Sequence, residues 1–476
     1  MKRDLGSLAS REHDLLVVGG GIYGAAAAWD AAQRSLSVAL VEAADFGSGT
    51  SWNSLKTIHG GLRHLQRADL AGLRESVRER RALLRIAPAL VRPLPFLVPA
   101  YGHGLKGREA LAVAVRLNDL LSRDRNDGLR EDRRLPGGRV LSRAQMLHLV
   151  PGLPREGLAG GIEWTDAQVE SSERLLLGFL HAAASAGAVL ANRSEVVGLV
   201  RSGTRVAGAR VRDVESGDEL QVRARLVLNA TGPGTDRLLE MAGVPSRRIP
   251  WLGAWNLVLR RAVVSEHAVG ASDEGRFLFL VPWRDRSIVG TGYAAPAETE
   301  ARIRAFRGDA ARAFPWAGLE DPDVALVHRG LVPGRRGGAL WSRSRLFDHE
   351  AEDRVAGLVT MVGVKYTSAR GMAEKAVDLA LRRLGRRAPP CRTDVTELPA
   401  ARPLEGTLAE RTRAAVRNEM ARTLADAVLR RLDLGTGGRP EDAELDLVAA
   451  TLAGELGWSP ERAREERRSL EEVWHG

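Results

Sequence analysis

The sequence predicts an α/β chain: a parallel, Rossmann-type sheet near the N-terminus, a mainly antiparallel sheet in the middle, and helices at the C-terminus. Three observations predict it. An apolar run, a G-x-G-x-x-G signature, a helical stretch and a second apolar run follow one another over residues 14–42. Four alternating strand-like segments crowd residues 250–334. Residues 405–475 carry helical periodicity with a break at Gly435–Pro440.

Leu15–Val18 has the continuous apolar pattern of a strand buried on both faces. Gly19-Gly20-Gly21-Ile22-Tyr23-Gly24 follows, and Ala25–Gln33 predicts a helix with small residues toward the strand. Ser37–Val41 predicts a second buried strand ending at Glu42, 23 residues after Gly19. The residue types fit dinucleotide binding. Gly19 permits a tight turn, Gly21 lets backbone approach a pyrophosphate, and Gly24 allows close helix–strand packing. The helix N-terminus, beside Ile22 and Tyr23, offers N–H groups and a positive dipole end to phosphates. Glu42, followed by Ala43, can accept hydrogen bonds from a ribose diol and disfavours a ribose 2′-phosphate. A further strand, LVLNATGPG at Leu226–Gly234, runs into Ala230, Thr231 and Gly232; the same letters also fit an ordinary strand-to-helix turn. No second glycine fingerprint follows, so a separate nicotinamide site has no support.

Arg108–Leu121 predicts a helix, and Ser142–Gln145 (SRAQ) reads as a capping box opening a short one. NLVLRRAVV, RFLFLVPW, RSIVGTGY and VALVHRGLV alternate as antiparallel strands. The Pro-rich stretch 386–403 reads as a linker.

A length of 476 residues implies two or three domains. No apolar run is long enough to span a bilayer, and the first residues lack the apolar core of a secretory signal. The single Cys391 excludes an internal disulfide and fits a reducing compartment, so the cytoplasm or its membrane face is expected. Residues 404–476 hold 11 Arg and 15 Asp/Glu, a net −4, so of the overall +10 residues 1–403 carry +14. No nucleic-acid module or zinc-ligand spacing accompanies that charge, and neither nucleic acid nor a metal is expected. Lys2, Lys56, Lys106, Lys365 and Lys375 stand against 65 Arg. Lys56 and Lys365 draw notice, because a compact ammonium can sit at a ring edge where a guanidinium fork does not.

The stretch TSWNSLKTIHGGLRHLQ, Thr50–Gln66, fits neither strand alternation nor a helical stripe. With RIAPALVRPLPFLVP, NATGPG, GVKYTSARGMAEKAV and VRNEMARTLADAVLRRLDLG, it resembles the FAD-dependent glycerol-3-phosphate dehydrogenases and oxidases over nearly the whole chain. The resemblance implies a glutathione-reductase-like FAD-binding domain, discontinuous over 12–95, 155–245 and 335–400. It implies a substrate or cap domain over 96–154 and 246–334, and a C-terminal helical domain over 401–476. It further implies that Thr50, Ser51, Ser54 and Lys56 follow the FAD pyrophosphate and ribityl chain, with Val196 also at the cofactor. His59, Gly60 and Gly61 would pass beside the flavin ring, and Arg63 and His64 would turn to the substrate. Gly363, Lys365, Tyr366 and Thr367 would face the flavin pyrimidine edge, where a helix dipole and a cation stabilise negative charge. Arg343, with Arg345 as rival, would hold a substrate anion.

Three positions depart from the family pattern. Trp255 stands where a His is usual, with Asn256 next to it. Val332 replaces a phosphate-binding Arg. Gly290–Tyr293 reads GTGY where G-T-T-D is usual. Trp255 would flatten the pocket and offer a stacking face. The expected activity is oxidation of a small anionic hydroxy compound, glycerol 3-phosphate or a related polyol phosphate, with quinone or oxygen as electron acceptor. Trp255 and Val332 favour an alternative, oxidation of an amine, amino acid or biosynthetic intermediate; a third reading is a flavin-binding protein without turnover. Peripheral membrane association through the Arg-rich helical stretches, and a homodimer, stand as further expectations.

Overall fold

The computed structural model describes residues 1–102, 107–247, 249–273, 276–320, 323–336 and 338–475. The side chains of Arg63, Gln66, Arg67, Asp273 and His475 lie outside the described ones. The chain divides into two units. One comprises Met1–Trp52, Ser171–Leu252 and Leu331–Gly476, the other Asn53–Glu170 and Gly253–Gly330.

The first unit is built on a sheet ordered Arg345–Asp348, Leu358–Val362, Glu219–Asn229, His13–Val18, Val38–Val41, Val189–Ala191. These six strands run parallel except Arg345–Asp348, while Arg205–Asp213 joins Glu219–Asn229 antiparallel and Ser194–Ser202 pairs antiparallel with it in turn. Every residue of His13–Val18 is buried, as its unbroken apolar run requires. The NATGPG strand joins this sheet beside the first strand, Val18 opposite Asn229. The first helix runs Ile22–Gln33 and so starts earlier than the sequence pattern suggests. Gly21 caps it in an extended conformation, and the Ser51 hydroxyl, from a distant loop, accepts the Ile22 N–H at 3.1 Å. A short helix at Leu5–Ala9, too brief to show periodicity, buries Leu8 among Leu16, Val18 and Leu239.

The C-terminal helices Leu408–Glu419, Asp442–Leu456 and Pro460–His475 pack with a π-helical turn at Asp426–Arg431 around Leu424, Val428, Leu445, Leu452 and Leu470. The sequence reading makes 401–476 a domain of its own, whereas the structure holds these helices within the first unit. Buried ion pairs are the reason. Arg430 and Arg431 both grip Asp45, Arg193 reaches Asp426 at 2.8 Å, and Arg174 reaches Glu419 at 2.7 Å.

The second unit carries a sheet ordered Val324–Pro333, Trp251–Leu259, Arg286–Ala294, Arg276–Trp283, Ala268–Asp273, Val91–Tyr101, Leu158–Val169, Thr57–Ile58, with Arg139–Leu141 also on Leu158–Val169. The four central strands foreseen from alternation are there. The strand Val91–Tyr101 is not obvious from sequence, since it contains Pro93, Pro95 and Pro99. Their even spacing puts the missing N–H groups on one edge. The other edge keeps its ladder with Leu158–Val169, from Val91 opposite Val169 to Tyr101 opposite Leu158. Thr57–Ile58 also enters this sheet, so the chain passes between units at Trp52–Asn53, whereas the sequence reading carries the nucleotide-binding piece on to residue 95. The helix Arg108–Leu121 and the Ser142/Gln145 capping box form as their sequences predict.

The buried ions generate two predictions. Arg431→Met leaves Asp45 with one guanidinium fewer and should cost about 3–5 kcal/mol in urea unfolding, because a buried carboxylate losing its partner keeps its desolvation penalty. Burial raises the Glu419 carboxyl, but the His181 hydrogen bond and the Arg174 charge outweigh it and hold the group at about 2, against 4.5 when unfolded. A depressed carboxyl gives stability that is full above about pH 4.5 and is lost as pH falls toward 2. Acid titration of unfolding should therefore slope through that window, and Glu419→Gln should lower stability at pH 7 and flatten the slope.

Candidate active site

The first unit contains a cradle of backbone and small side chains. Gly19 has φ +109°, and a Cβ there would stand 2.6 Å from the Ala230 carbonyl oxygen. A Cβ on Gly24 would overlap the Gly19 carbonyl. A Cβ on Gly21 would meet the Ser51 hydroxyl at 3.2 Å, so Ser51, Gly21 and Ile22 share the helix N-terminus. Glu42 accepts the Gly20 N–H at 2.7 Å and the Ala44 N–H at 2.9 Å. Burial pushes its carboxyl upward against those bonds. A carboxylate has about four acceptor positions, so two remain for a diol. Ala43 is exposed beside it. Thr231 is turned by Asn229, whose side-chain oxygen accepts from its N–H and its hydroxyl, and Gly232 follows at φ +56°.

Two side chains assigned to the cofactor do other work. Thr50 exchanges hydrogen bonds with the Leu331 backbone, at 2.9 and 3.0 Å, so its hydroxyl is a brace. Val196 packs its side chain into the core with Val206 and Val211, leaving its backbone to its strand.

Tyr23 also departs from expectation. Its hydroxyl donates to the Lys365 carbonyl at 2.7 Å and accepts the Val364 and Lys365 N–H groups at 3.1 and 3.2 Å. A Cβ on Gly363 would overlap its ring. Tyr23 is therefore a strut under the turn Gly363–Thr367, which precedes the helix Ala369–Leu384. Burial raises its phenol, as it does that of Tyr366, whose hydroxyl donates to the Ser172 carbonyl at 2.6 Å. Thr367 is buried and Lys365 is exposed. Arg345 stacks its guanidinium on Trp341 at 4.2 Å, and Arg343 is exposed.

In the second unit the polar run takes on clear roles. The Ser54 hydroxyl accepts the Lys56 N–H at 3.2 Å. Lys56 has no exposed surface, and its ammonium lies 5.4 Å from the Trp283 ring centre. His59 is 43% exposed, and its Nδ1 faces Asp166 Oδ2 at 3.4 Å. Gly60 donates to Asp166 Oδ1 at 2.8 Å, and a Cβ there would overlap Arg80. Gly61, at φ +91°, turns the chain into the 3-10 turn Leu62–Arg67. Arg63 lies in that turn, its side chain outside the described ones. His64 is only 11% exposed, and its Nδ1 sits 3.0 Å from Asp69, the residue capping the helix Leu70–Ile86. The imidazole braces a helix cap through Nδ1.

Trp255 is corrected too. It is 1% exposed and lies with Leu257, Leu259 and Leu280 in a core cluster, edge-on to Phe306. Alternation turns Asn256 to the other face of the sheet. There it stands opposite Gly290, which is opposite Phe279, and Phe279 is 5.9 Å from the His59 ring. Thr291 is the extra residue of a bulge, and its hydroxyl donates to Asn256 Oδ1 at 2.7 Å. Asn256 and Thr291, not Trp255, thus share the His59 face. The apolar period W-x-L-x-L at 255–259 is the signal that could have revealed it. Asp166 and Arg80 were missed because nothing local marks them.

Residues 14–432 match the family model described as FAD dependent oxidoreductase. The chain belongs to that family. It is 36% identical over 403 residues to "Glycerol-3-phosphate dehydrogenase 2" of Mycobacterium tuberculosis, covering 82% of this chain and 67% of the relative. It is 33% identical over 425 residues to "Glycerol-3-phosphate dehydrogenase" of Synechocystis, covering 84% and 75%. The fold matches the FAD complex of glycerol-3-phosphate dehydrogenase from Bacillus halodurans with a TM-score of 0.72 over 99% of this chain and 96% of that one, at 23% identity. It also matches L-α-glycerophosphate oxidase from Mycoplasma pneumoniae with a TM-score of 0.59 over 82% and 99%, at 17% identity. The protein is an FAD-dependent, glycerol-3-phosphate dehydrogenase-like oxidoreductase. The residues present fit the cofactor: the glycine cradle would be filled by any Cβ, and Glu42 keeps acceptor capacity for a ribose. Gly19, Gly21, Ser51 and Glu42 would hold its nucleotide end.

Gly24→Ala should abolish flavin retention through that overlap, read as loss of the flavin absorbance on gel filtration. Tyr23→Phe removes three hydrogen bonds from the Gly363–Thr367 turn and should weaken FAD binding roughly 10-fold, on about 1 kcal/mol per lost bond with partial compensation by water.

Proposed function

We propose that this oxidoreductase oxidises glycerol 3-phosphate or a closely related polyol phosphate. The observation that carries the reading is the half-exposed His59, held on Asp166 within the run S-x-K-x-I-H-G-G-L-R. Relatives that are 33–36% identical and named glycerol-3-phosphate dehydrogenase support it. Bound FAD would accept the hydride of the alcohol carbon. The protein must take the hydroxyl proton, for which His59 is suited, and must hold the phosphate, for which the exposed Arg343 offers a guanidinium. The buried position of Trp255 removes the stacking face that favoured an amine. Val332 remains the feature that favours it.

Anaerobic mixing discriminates the readings. Glycerol 3-phosphate should bleach the flavin and amino acids should not. Bleaching by amino acids alone selects C–N oxidation, and bleaching by neither selects a binder without turnover. Arg343→Ala should lower kcat/KM for glycerol 3-phosphate about 10- to 100-fold, mainly through KM, the worth of a charge-assisted contact.

The acceptor we infer is a membrane quinone, reached by peripheral attachment. Among the described residues no helix is long and apolar enough to cross a membrane. The helix Arg108–Leu121 exposes Val113, Leu117 and Leu120 at helical spacing, with Arg116 beside them and Arg123 just beyond. That pairing of apolar and basic groups suits an anionic bilayer surface. The protein should co-sediment with phosphatidylglycerol vesicles, and Leu117→Glu with Leu120→Glu should abolish it.

A further inference from the structure

Beneath His59 lies a buried pair that the reaction as described leaves unused. Asp166 and Arg80 are each 2% exposed. Arg80 makes an ion pair with Asp166 Oδ1 and donates to the Thr165 carbonyl at 3.1 Å. Asp166 Oδ1 also accepts the Gly60 N–H at 2.8 Å, while Oδ2 faces His59 Nδ1 at 3.4 Å. The imidazole is confined from the side by Phe96 and Phe279, with ring centres 6.0 and 5.9 Å away.

We propose that Asp166, backed by Arg80, is a positioning residue that fixes His59 as its Nδ1–H tautomer and so leaves Nε2 as the proton acceptor. The proposal rests on the reading of His59 as the base. An ionised carboxylate can only accept hydrogen bonds, so the ring nitrogen that faces it must carry the hydrogen. The other nitrogen then holds the lone pair. Arg80 decides that the carboxylate is ionised: burial favours the protonated acid, but the guanidinium charge and the His59 and Gly60 hydrogen bonds hold it below the ordinary range. The same charge keeps Asp166 from taking the proton itself. When the substrate O–H bond breaks, its proton bonds to Nε2, and the resulting imidazolium lies against a full negative charge. Bound FAD would take the alcohol's two electrons with the carbon-bound hydrogen as hydride, and the hydroxyl proton stays on His59. Gly60 completes the arrangement, since a Cβ at that position would overlap the Arg80 guanidinium.

The test is long-range ¹H–¹⁵N correlation NMR of the ¹⁵N-histidine-labelled, FAD-loaded full chain, with the His59 signal assigned by its loss in His59→Gln. The expected result is Nδ1–H for the wild type near neutral pH, and a shift toward Nε2–H in Asp166→Asn, whose amide keeps the size of the carboxylate but not its charge. With glycerol 3-phosphate, Asp166→Asn should lower kcat roughly 10²-fold or more, with KM changed less than about threefold and flavin content retained. An Nε2–H wild type overturns the proposal, and so does an Asp166→Asn enzyme with unchanged tautomer and kcat. The wild-type spectrum decides even if the variant fails to fold. Full turnover by His59→Gln would refute the base reading on its own, whichever tautomer is found.

Discussion

The backbone of Gly19 lies against the backbone of Ala230, and the rest of the nucleotide half depends on that approach. A side chain at Gly19 would strike the Ala230 carbonyl, and one at Gly24 would strike the Gly19 carbonyl. With both bare, the first helix can begin at Ile22, directly at the end of its strand. Its N-terminal N–H groups then point where a pyrophosphate can use them. The packing continues outward. A Cβ on Gly20 would meet the Phe46 ring at 2.6 Å, so Phe46 closes over the same turn.

Phe46 is followed backward along the chain by Asp45, and Asp45 is where the C-terminal helices attach. Its two oxygens receive Arg430 at 2.6 Å, Arg431 and the Asn192 amide. Three residues earlier stands Glu42, whose carboxylate accepts the Gly20 and Ala44 N–H groups. One loop therefore carries both that acid and the anchor of the C-terminal segment. Buried ion pairs contribute little net stability against an apolar alternative but cost several kcal/mol when broken. Here they join Arg430 and Arg431 to Asp45, Asp426 to Arg193 and Glu419 to Arg174, all buried or nearly so.

How legible all this is in the sequence follows from the range of the interactions. The glycine turn, the buried strands, the Ser142/Gln145 cap and the break at Gly435–Pro440 are local, and each has a composition that permits little else. The strand Val91–Tyr101 is hidden by three prolines whose tolerance depends on edge geometry. Thr50, His64 and Tyr23 look like ligands in a motif, yet each spends its polar group on a neighbouring backbone or cap. Asp166 stands 107 residues from His59 in the chain, and only the register of Thr57–Ile58 with Ala167 and Gln168 brings them together.

The cofactor half of such a site is made mostly of backbone, and backbone geometry is written in glycines and apolar runs. The substrate half is made of side-chain directions, which a single bulge can change. Here Thr291 is the inserted residue: it lets Trp255 stay opposite Gly292 and Asn256 opposite Gly290. The indole goes into the core with Phe306, and the amide goes to the face that holds Phe279 and His59. The bulge thus sets which of two neighbouring residues, Trp255 or Asn256, enters the core cluster.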